Sequence, residues 1–282
     1  MMNALRPLDK DILSSREVLC EPVRSQALGE QNGDSNRTAR PAWRKNAALF
    51  YASGLIRGLR LFRKYRTSTM YPSGRMAGAA IIYAENLALL RMVLRNPDLE
   101  GGCIIECGTW RGGMAAGMIE VAGTARKYHF FDSFEGLPPA GERDGFAARE
   151  FQSHTLSPTY FNNCTASLEE FEETISKAGC PKQNIGIHKG FFETTLPAFS
   201  CPPIAVLRLD ADWYDSTMIC LEKFWDHVMP GGLILIDDYY TWEGCSRAVH
   251  AFLAKREARE RLHQGPLGRV VFVVKEALAP TA

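Results

Sequence analysis

Short apolar runs alternate with stretches of helical periodicity from residue 103 to the end of the chain. The runs predict buried strands, because they are aliphatic or aromatic and are bounded by turn residues. The predicted strands are Cys103–Gly108, Tyr128–Ser133, Asn184–Gly190, Ile204–Asp210, Gly232–Tyr239 and Arg269–Lys275. The predicted helices are Gly113–Thr124, Ser167–Ala178, Thr217–Val228 and Cys245–Arg261. This alternation predicts an α/β fold with a doubly wound, mostly parallel sheet and helices on both faces.

Two further helices are predicted before the first strand. Residues 42–66 have helical periodicity with apolar positions on one face and basic positions on another: Leu49, Ala52, Ile56, Leu59 and Phe62, against Arg57, Arg60 and Lys64. Such a helix can lie on anionic lipid or nucleic acid, but more often it packs its apolar side on its own domain or a second subunit. The second helix, Gly78–Arg95, ends at Asn96-Pro97, as expected before proline.

These patterns divide the 282 residues into three parts. Residues 1–40 are polar and poor in aromatic side chains, which predicts a flexible arm. Residues 41–97 form the helical extension, or a lid. Residues 98–282 form one α/β domain, a size that buries a core without disulfides.

Composition limits the classes of partner and compartment. With 46% hydrophobic and 23% charged residues, the chain has the composition of an ordinary globular protein. Its net charge of +1 does not predict binding to a strongly charged partner. The exception is Arg37 to Arg66, with nine Lys/Arg and no Asp or Glu. The eight cysteines lack CxxC or zinc-like spacing, which predicts free thiols in a reducing compartment. Without a signal-peptide pattern or a spanning apolar stretch, we expect a cytoplasmic location and no stable membrane insertion.

Acidic residues stand at the carboxyl ends of two predicted strands. Asp210 ends one strand and Asp212 follows at once, while Asp237 and Asp238 end another. Ligands bind outside the carboxyl ends of strands in open α/β sheets. Carboxylates gathered there repel one another unless they are protonated or paired with a cation, and Mg²⁺ prefers oxygen ligands. The pattern predicts a divalent-metal site, with a metal-free acid/base site as the alternative.

A glycine-bearing turn follows the first predicted strand, Ile104-Ile105-Glu106-Cys107-Gly108-Thr109-Trp110-Arg111-Gly112-Gly113. The glycines let the backbone approach a ligand, and the following helix offers free N–H groups. Because the turn is neither GxGxxG nor a Walker motif, dinucleotide and P-loop sites are disfavoured. Asp132 lies 26 residues after Glu106, close to the offset at which a second-strand acid binds ribose hydroxyls. Together the two features predict an adenosine-containing ligand.

Five ordered motifs between Ile104 and Phe252 resemble the macrocin O-methyltransferase (TylF-like) family, a branch of the class I methyltransferases that use S-adenosylmethionine. The motifs are Glu106–Gly113, Asp132–Pro138, Lys189–Pro197, Arg208–Thr217, and Ile236–Tyr240 with Cys245–Val249. The resemblance implies a seven-stranded, Rossmann-like sheet with an N-terminal helical extension. It also implies transfer of a methyl group to a hydroxyl of a small sugar-bearing or natural-product-like acceptor.

The family resemblance also assigns roles to individual residues. The methionine part of the methyl donor would be lined by Glu106, Cys107, Gly108, Thr109 and Trp110. Asp132 would hold the ribose hydroxyls with Ser133 beside it, and the adenine would be walled by Gly190, Phe191 and Phe192. The divalent ion, Mg²⁺ by its chemistry, would be bound by Asp210, Asp237 and Asp238. Asp212 or Asp210 would accept the acceptor's proton, since the lysine base of catechol-type relatives has no counterpart here.

Two other functions remain open at the sequence level. The basic helix could recruit RNA or protein as the methyl acceptor, although the Asn/Asp-Pro-Pro-aromatic motif of amino-methylating relatives is missing. A non-catalytic donor-binding scaffold is also conceivable, but all three presumed metal ligands are present. The first 70 residues match the family poorly, so the sequence does not identify the acceptor, and it is compatible with a homo-oligomer.

Overall fold

Seven strands form one sheet in the computed structural model, which describes residues 47–69, 76–157 and 160–276. The strands are β1 (Cys103–Cys107), β2 (Tyr128–Asp132), β3 (Ile185–Lys189), β4 (Ile204–Leu209), β5 (Val228–Ile236), β6 (His263–Gln264) and β7 (Val271–Val274). Their order is β3-β2-β1-β4-β5-β7-β6, and only β7 runs antiparallel to its neighbours. The predicted doubly wound, mostly parallel α/β sheet is confirmed.

Helices connect these strands. Within the described ranges they are α1 (Ala47–Lys64), α2 (Met76–Val93), α3 (Gly113–Ala122), α4 (Gly145–Ser153), α5 (Leu168–Ser176), α6 (Phe192–Thr195), α7 (Tyr214–Phe224) and α8 (Glu243–Lys255). All six predicted helices exist, with ends that differ by a few residues. The short elements α4, α6 and β6 were not predicted, because runs of two to nine residues carry too little periodicity.

The two faces of the sheet pack against different helices, because side chains alternate along each strand. On one face, Ile104, Phe130 and Val206 join a core made with helices α1, α2, α3 and α5. On the other, Ile105 and Leu207 join a second core made with α7 and α8. The N-terminal helices are therefore packed into one layer of the sandwich.

Close packing of α1 on α2 depends on two glycines of α1. A β-carbon at Gly58 would lie 2.6 Å from the Ala84 backbone, and one at Gly54 would lie 3.0 Å from that of Ala88. The buried side of α1 is consequently the one with Tyr51, Gly54, Gly58, Leu61 and Phe62. Of the predicted apolar face, Leu49, Ala52, Ile56, Leu59 and Phe62, only Phe62 is buried, so the prediction that this face packs on the domain was wrong for the other four. Leu49 is 74% exposed and Ile56 is 55% exposed. The alternative, packing on a second subunit, stays a prediction.

Strand β5 begins four residues earlier than predicted and contains a bulge. Its pairing with β4 jumps from Ile204–Val228 to Val206–Leu233. Pro230, which cannot donate a ladder hydrogen bond, lies in the bulge, as is usual for proline within sheets. The strand also ends at Ile236 instead of Tyr239, because Asp238–Tyr240 turn into a short 3₁₀ helix. Asp237 therefore lies at the junction of the strand and this turn, and Asp238 is the first residue of the turn.

Three further predictions concern the cysteines, membrane insertion and the division of the chain into parts. The seven cysteines within the described residues are free thiols, as predicted. No helix of the described ranges is long and apolar enough to cross a membrane. The predicted arm at residues 1–40 lies outside the described residues, and the division of the chain into arm, extension and domain stays a prediction.

Candidate functional site

A cavity opens at the carboxyl edge of the sheet, where β1 lies between β2 and β4. The chain leaves β1 toward β2 on one side and returns through β4 on the other, which is the topological switch point of such sheets. Nine of the ten residues predicted to bind the donor line this cavity: Glu106, Gly108, Thr109, Trp110, Asp132, Ser133, Gly190, Phe191 and Phe192. Asp210, Asp212 and Asp237 also line it. Asp238 does not line the cavity but is buried next to Asp210 and Asp237. The structure thus brings most of the predicted donor-binding residues close to the predicted acids.

The turn after β1 requires glycine at position 108. Gly108 has a φ of +82°, and a β-carbon there would lie 1.8 Å from the backbone oxygen of Asp210. Both the left-handed backbone and this contact exclude other side chains. Consequently the turn after β1 lies directly against Asp210 at the end of β4. Thr109 and Trp110, which follow Gly108, line the same cavity as Asp210.

Asp132 fixes the same turn from the other side. Its Oδ2 accepts hydrogen bonds from the backbone N–H groups of Thr109 at 2.7 Å and Trp110 at 2.8 Å. Its Oδ1 accepts one from the N–H of Phe134 at 2.7 Å. Since an ionised carboxylate can accept about four hydrogen bonds, Asp132 keeps limited capacity for a ligand hydroxyl. Its first role in this structure is to shape the turn.

The β3 end completes this side of the cavity. The Gly190 N–H donates to the backbone oxygen of Asp132 at 2.9 Å, and α6 begins at Phe192. Gly190 is therefore held against the end of β2, and Phe191 and Phe192 line the cavity beside it. The adenine wall stays a prediction.

Cys107 is the one predicted donor-binding residue that does not line the cavity. Its side chain belongs to the second core and is fully buried on the opposite face of the sheet. Burial raises the pKa of its thiol well above the usual value. Only the backbone of Cys107 is on the cavity side, where its oxygen accepts a hydrogen bond from the Asp210 N–H at 2.9 Å.

A buried ion pair joins the donor side of the cavity to the acids. Glu106 and Arg208 are opposite each other in the β1–β4 register, so their side chains leave the same face of the sheet. Arg208 Nη1 donates to Glu106 Oε1 at 2.7 Å and to Asp210 Oδ2 at 2.9 Å. Its Nη2 lies 3.0 Å from Asp237 Oδ1. One guanidinium, 3% exposed, thus contacts three acidic side chains.

Glu106 keeps one oxygen for a ligand. The residue is fully buried, and Oε2 has no hydrogen-bond partner among the described residues. Burial raises the pKa of Glu106 to about 8, although Arg208 opposes the rise. A buried, unpartnered carboxyl oxygen costs free energy unless a donor reaches it, so this atom is a candidate acceptor for a cationic ligand group.

The three predicted metal ligands converge. Asp210, Asp237 and Asp238 each offer an oxygen, and these atoms all lie within 4.8 Å of one another. One oxygen of each carboxylate is held by the chain: Asp210 Oδ2 and Asp237 Oδ1 by Arg208, and Asp238 Oδ2 by the Asp212 N–H at 3.0 Å. The chain thus orients each of the three carboxylates through one of its oxygens.

The electrostatics favour a cation at this position. Burial, then repulsion from neighbouring acids, raises the pKa of Asp212 and of Asp238 well above the usual range. The pKa of Asp210 is raised as well, by burial and against the opposing effect of Arg208. Glu106, Asp210 and Asp237 contact Arg208, whereas Asp212 and Asp238 have no ion-pair partner among the described residues. A hard divalent ion would favour the ionised form of these carboxylates, so the residues fit such an ion.

Asp212 is held in an unusual backbone conformation. Its φ is +56°, a left-handed value that is uncommon outside glycine and is tolerated best by Asn and Asp. The Trp242 indole N–H donates to Asp212 Oδ1 at 2.7 Å. The side chain is thus fixed at the cavity wall beside the presumed metal ligands.

Sequence patterns did not identify several residues of this site. Asn86 of α2 donates from Nδ2 to Asp237 Oδ1 at 2.8 Å, and Tyr83 of the same helix lines the cavity. Arg208 and Trp242 are also part of it. The available signals were an arginine inside an apolar strand and the pair Glu85-Asn86 inside a mainly apolar helix. Both patterns mark buried polar groups but do not reveal their partners.

Comparison with known proteins adds relatives of stated activity. A 4'-O-methyltransferase of 8-demethyl-8-(2,3-dimethoxy-alpha-L-rhamnosyl)-tetracenomycin-C from Streptomyces olivaceus is 34% identical over 155 residues, which are 54% of this chain and 58% of that protein. Demethyldecarbamoylnovobiocin O-methyltransferase from Streptomyces niveus is 31% identical over 166 residues, 57% of this chain and 62% of that protein. The chain thus spans less than two thirds of either relative.

A solved structure and a family model agree with this similarity. The O-methyltransferase NovP superposes with a TM-score of 0.61 at 22% identity, over 82% of this chain and 100% of that one, which supports the fold. The macrocin-O-methyltransferase (TylF) model matches residues 73–267, more than two thirds of the chain, and this range contains the acids and every cavity-lining residue except Ser68 and Thr69. The chain therefore belongs to the TylF macrocin-O-methyltransferase family.

Proposed function

We propose that this chain transfers a methyl group from S-adenosylmethionine to a hydroxyl of a small sugar-bearing or natural-product-like acceptor, with the assistance of a divalent metal ion. The family match over residues 73–267 carries the proposal, and the cavity at the carboxyl edge of the sheet, with the convergent acids beside it, supports it. The relatives, named as O-methyltransferases of a rhamnosyl-tetracenomycin and of demethyldecarbamoylnovobiocin, support an acceptor of this class.

The donor would lie along the ends of β1, β2 and β3. Glu106 Oε2 would accept a hydrogen bond from the ammonium group of its methionine part, and the turn at Gly108–Trp110 would follow that part closely. Asp132 and Ser133 would contact the ribose, and Gly190, Phe191 and Phe192 would wall the adenine. When bound, the donor supplies a methyl group already activated by the sulfonium, so the chain needs chiefly to align the acceptor oxygen.

The acceptor hydroxyl would lie at the acids. Asp210, Asp237 and Asp238 would hold the divalent ion, with Mg²⁺ as the best match to three carboxylate ligands. Such an ion orients a hydroxyl and lowers its pKa. Asp212, fixed by Trp242 and not among the ligands, is the better candidate for taking the proton, and Asp210 is the alternative.

The helical extension would close one side of the site. Ser68 and Thr69, after α1, and Ile82 and Tyr83, in α2, line the same cavity as the donor set. Residues 41–97 would thus shape the acceptor pocket on the domain at 98–282. The exposed basic residues of α1 are not needed for this role, which agrees with a small acceptor instead of nucleic acid.

Methyl transfer can be measured directly with radiolabelled S-adenosylmethionine. We expect label to enter rhamnosides or related deoxyhexosides that carry a free hydroxyl, as an O-linked methyl group, when Mg²⁺ is present. Total RNA and the aglycones serve as comparison acceptors. Salt-sensitive labelling of RNA, or donor binding without transfer to any hydroxyl, would contradict the proposal.

Donor binding should release a proton through Glu106. Its pKa of about 8 leaves Glu106 mostly protonated at about pH 7, and a bound ammonium group favours the ionised form. Calorimetry with S-adenosylhomocysteine, in buffers that differ in ionisation enthalpy, should show proton release at about pH 7 that fades above about pH 9. Glu106→Gln should bind more weakly and lose this release. If the binding heat of the wild type does not depend on the buffer, Glu106 does not bind the ammonium group of the donor.

A further inference from the structure

Asn86 is a buried polar residue in the middle of helix α2, next to the buried Glu85. It is 1% exposed, and its neighbours Leu87, Ala88 and Leu89 are also buried. Its Nδ2 donates to Asp237 Oδ1 at 2.8 Å and to the Ile82 backbone oxygen at 3.0 Å. Because both partners are acceptors, the amide nitrogen must lie on this side and the carbonyl oxygen on the other. The contact joins residues 151 positions apart.

This contact determines which oxygen of Asp237 remains for a cation. Asp237 Oδ1 accepts from Asn86 Nδ2 and also lies 3.0 Å from Arg208 Nη2. The two donors come from α2 and β4, so they hold the carboxylate from two directions. Oδ1 is thereby occupied, and the carboxylate cannot turn without losing at least one donor. Oδ2 is the atom that stays for a ligand.

Packing alone does not explain an asparagine at position 86. Its Oδ1 is buried without a hydrogen-bond partner among the described residues, which costs free energy. Arg208 already supplies a donor to Asp237 Oδ1, so Asn86 is not needed to satisfy that oxygen. An apolar side chain of similar size would avoid the cost. The residue contributes an N–H at one defined position, next to one presumed ligand.

We propose that Asn86 is a positioning residue for the metal site: it orients Asp237 so that Oδ2 alone binds the divalent ion. The inference rests on the divalent site of the proposed function. It makes α2 a structural part of the metal site, besides forming a wall of the cavity. Outer contacts of this kind commonly change metal affinity by about 10–100-fold when they are removed.

The test measures Mn²⁺ binding to the full chain by electron paramagnetic resonance of the free ion, without donor or acceptor. Asn86→Leu keeps the volume but removes the N–H, and we expect Mn²⁺ to bind about 10–100-fold more weakly. Thermal stability should stay at or above that of the wild type, because the unpartnered oxygen is removed. If Asn86→Leu does not fold, the same measurement is made on Asn86→Ala, because alanine is the best helix former.

Two controls separate positioning from general disturbance of the helix. Leu89→Met changes another buried residue of α2 at nearly constant volume and should leave Mn²⁺ affinity unchanged. In an Asp237→Asn background, adding Asn86→Leu should cause no further loss, because the oxygen that Asn86 positions has gone. Wild-type affinity in Asn86→Leu, or an equal additional loss in the Asp237→Asn background, would overturn the proposal. Failure of the wild type to bind Mn²⁺ would instead reject the divalent site itself, and this inference with it.

Discussion

Replacing Arg208 by methionine should lower the free energy of unfolding by about 3–5 kcal/mol, the usual cost of removing one partner from a buried ion pair. Arg208 is 3% exposed and contacts Glu106, Asp210 and Asp237. Methionine fills similar space but leaves Asp210 and Asp237 without their cation and Glu106 without a hydrogen-bond donor. Urea denaturation at about pH 7, in EDTA, measures the difference. Mg²⁺ should recover part of the loss, because a divalent ion at Asp210 and Asp237 replaces some of the missing charge.

A surface arginine gives the matched control. Arg247 pairs with Glu243 one turn earlier in α8, and both side chains are 54% exposed. Because exposed pairs contribute little, Arg247→Met should change stability by less than about 1 kcal/mol. The loss of stability in Arg208→Lys should lie between those of Arg208→Met and Arg247→Met. The lysine ammonium group keeps the positive charge but lacks the planar guanidinium that contacts three acids. Equal stability of the Arg208→Met and Arg247→Met proteins would show that the acids are neutral in the fold and need no cation.

The strand ends explain why most of the site could be predicted from sequence. Apolar runs locate the ends of β1, β2, β4 and β5, and parallel pairing brings those ends to one edge of the sheet. Glu106, Asp132, Asp210 and Asp237 each follow or end such a run, so their convergence follows from topology. Periodicity and strand order were sufficient for these residues.

The parts that escaped prediction depend on how helices dock. Asn86 reaches Asp237 only because α2 is rotated with that side toward the sheet, which no local pattern specifies. The orientation of α1 was predicted wrongly for a related reason. Gly54 and Gly58 allow close approach to Ala88 and Ala84, and glycine carries no hydrophobic signal that periodicity could detect. Trp242 likewise contacts Asp212, which lies 30 residues earlier in the chain, through tertiary packing that no local pattern specifies.

Asp237→Asn should abolish nearly all methyl transfer while leaving the fold and donor binding intact. The asparagine oxygen can still accept from Asn86 and Arg208, as Asp237 Oδ1 does now. The amide nitrogen then replaces Oδ2, the oxygen left for the cation, and an amide nitrogen is not a ligand for Mg²⁺. Since a metal ion commonly contributes several kcal/mol to a charged transition state, turnover should fall by at least about 10²-fold.

The measurement is turnover with and without EDTA, alongside calorimetry with S-adenosylhomocysteine. EDTA should stop the wild type and Mg²⁺ should restore it, whereas excess Mg²⁺ should rescue Asp237→Asn only slightly. Asp215→Asn is the matched control, because Asp215 pairs with Arg143 at the surface and its side chain is 69% exposed. Full wild-type turnover in EDTA would end the metal hypothesis. The convergence of Asp210, Asp237 and Asp238 would then have to serve a metal-free proton transfer, with Asp212, held by Trp242, as its base.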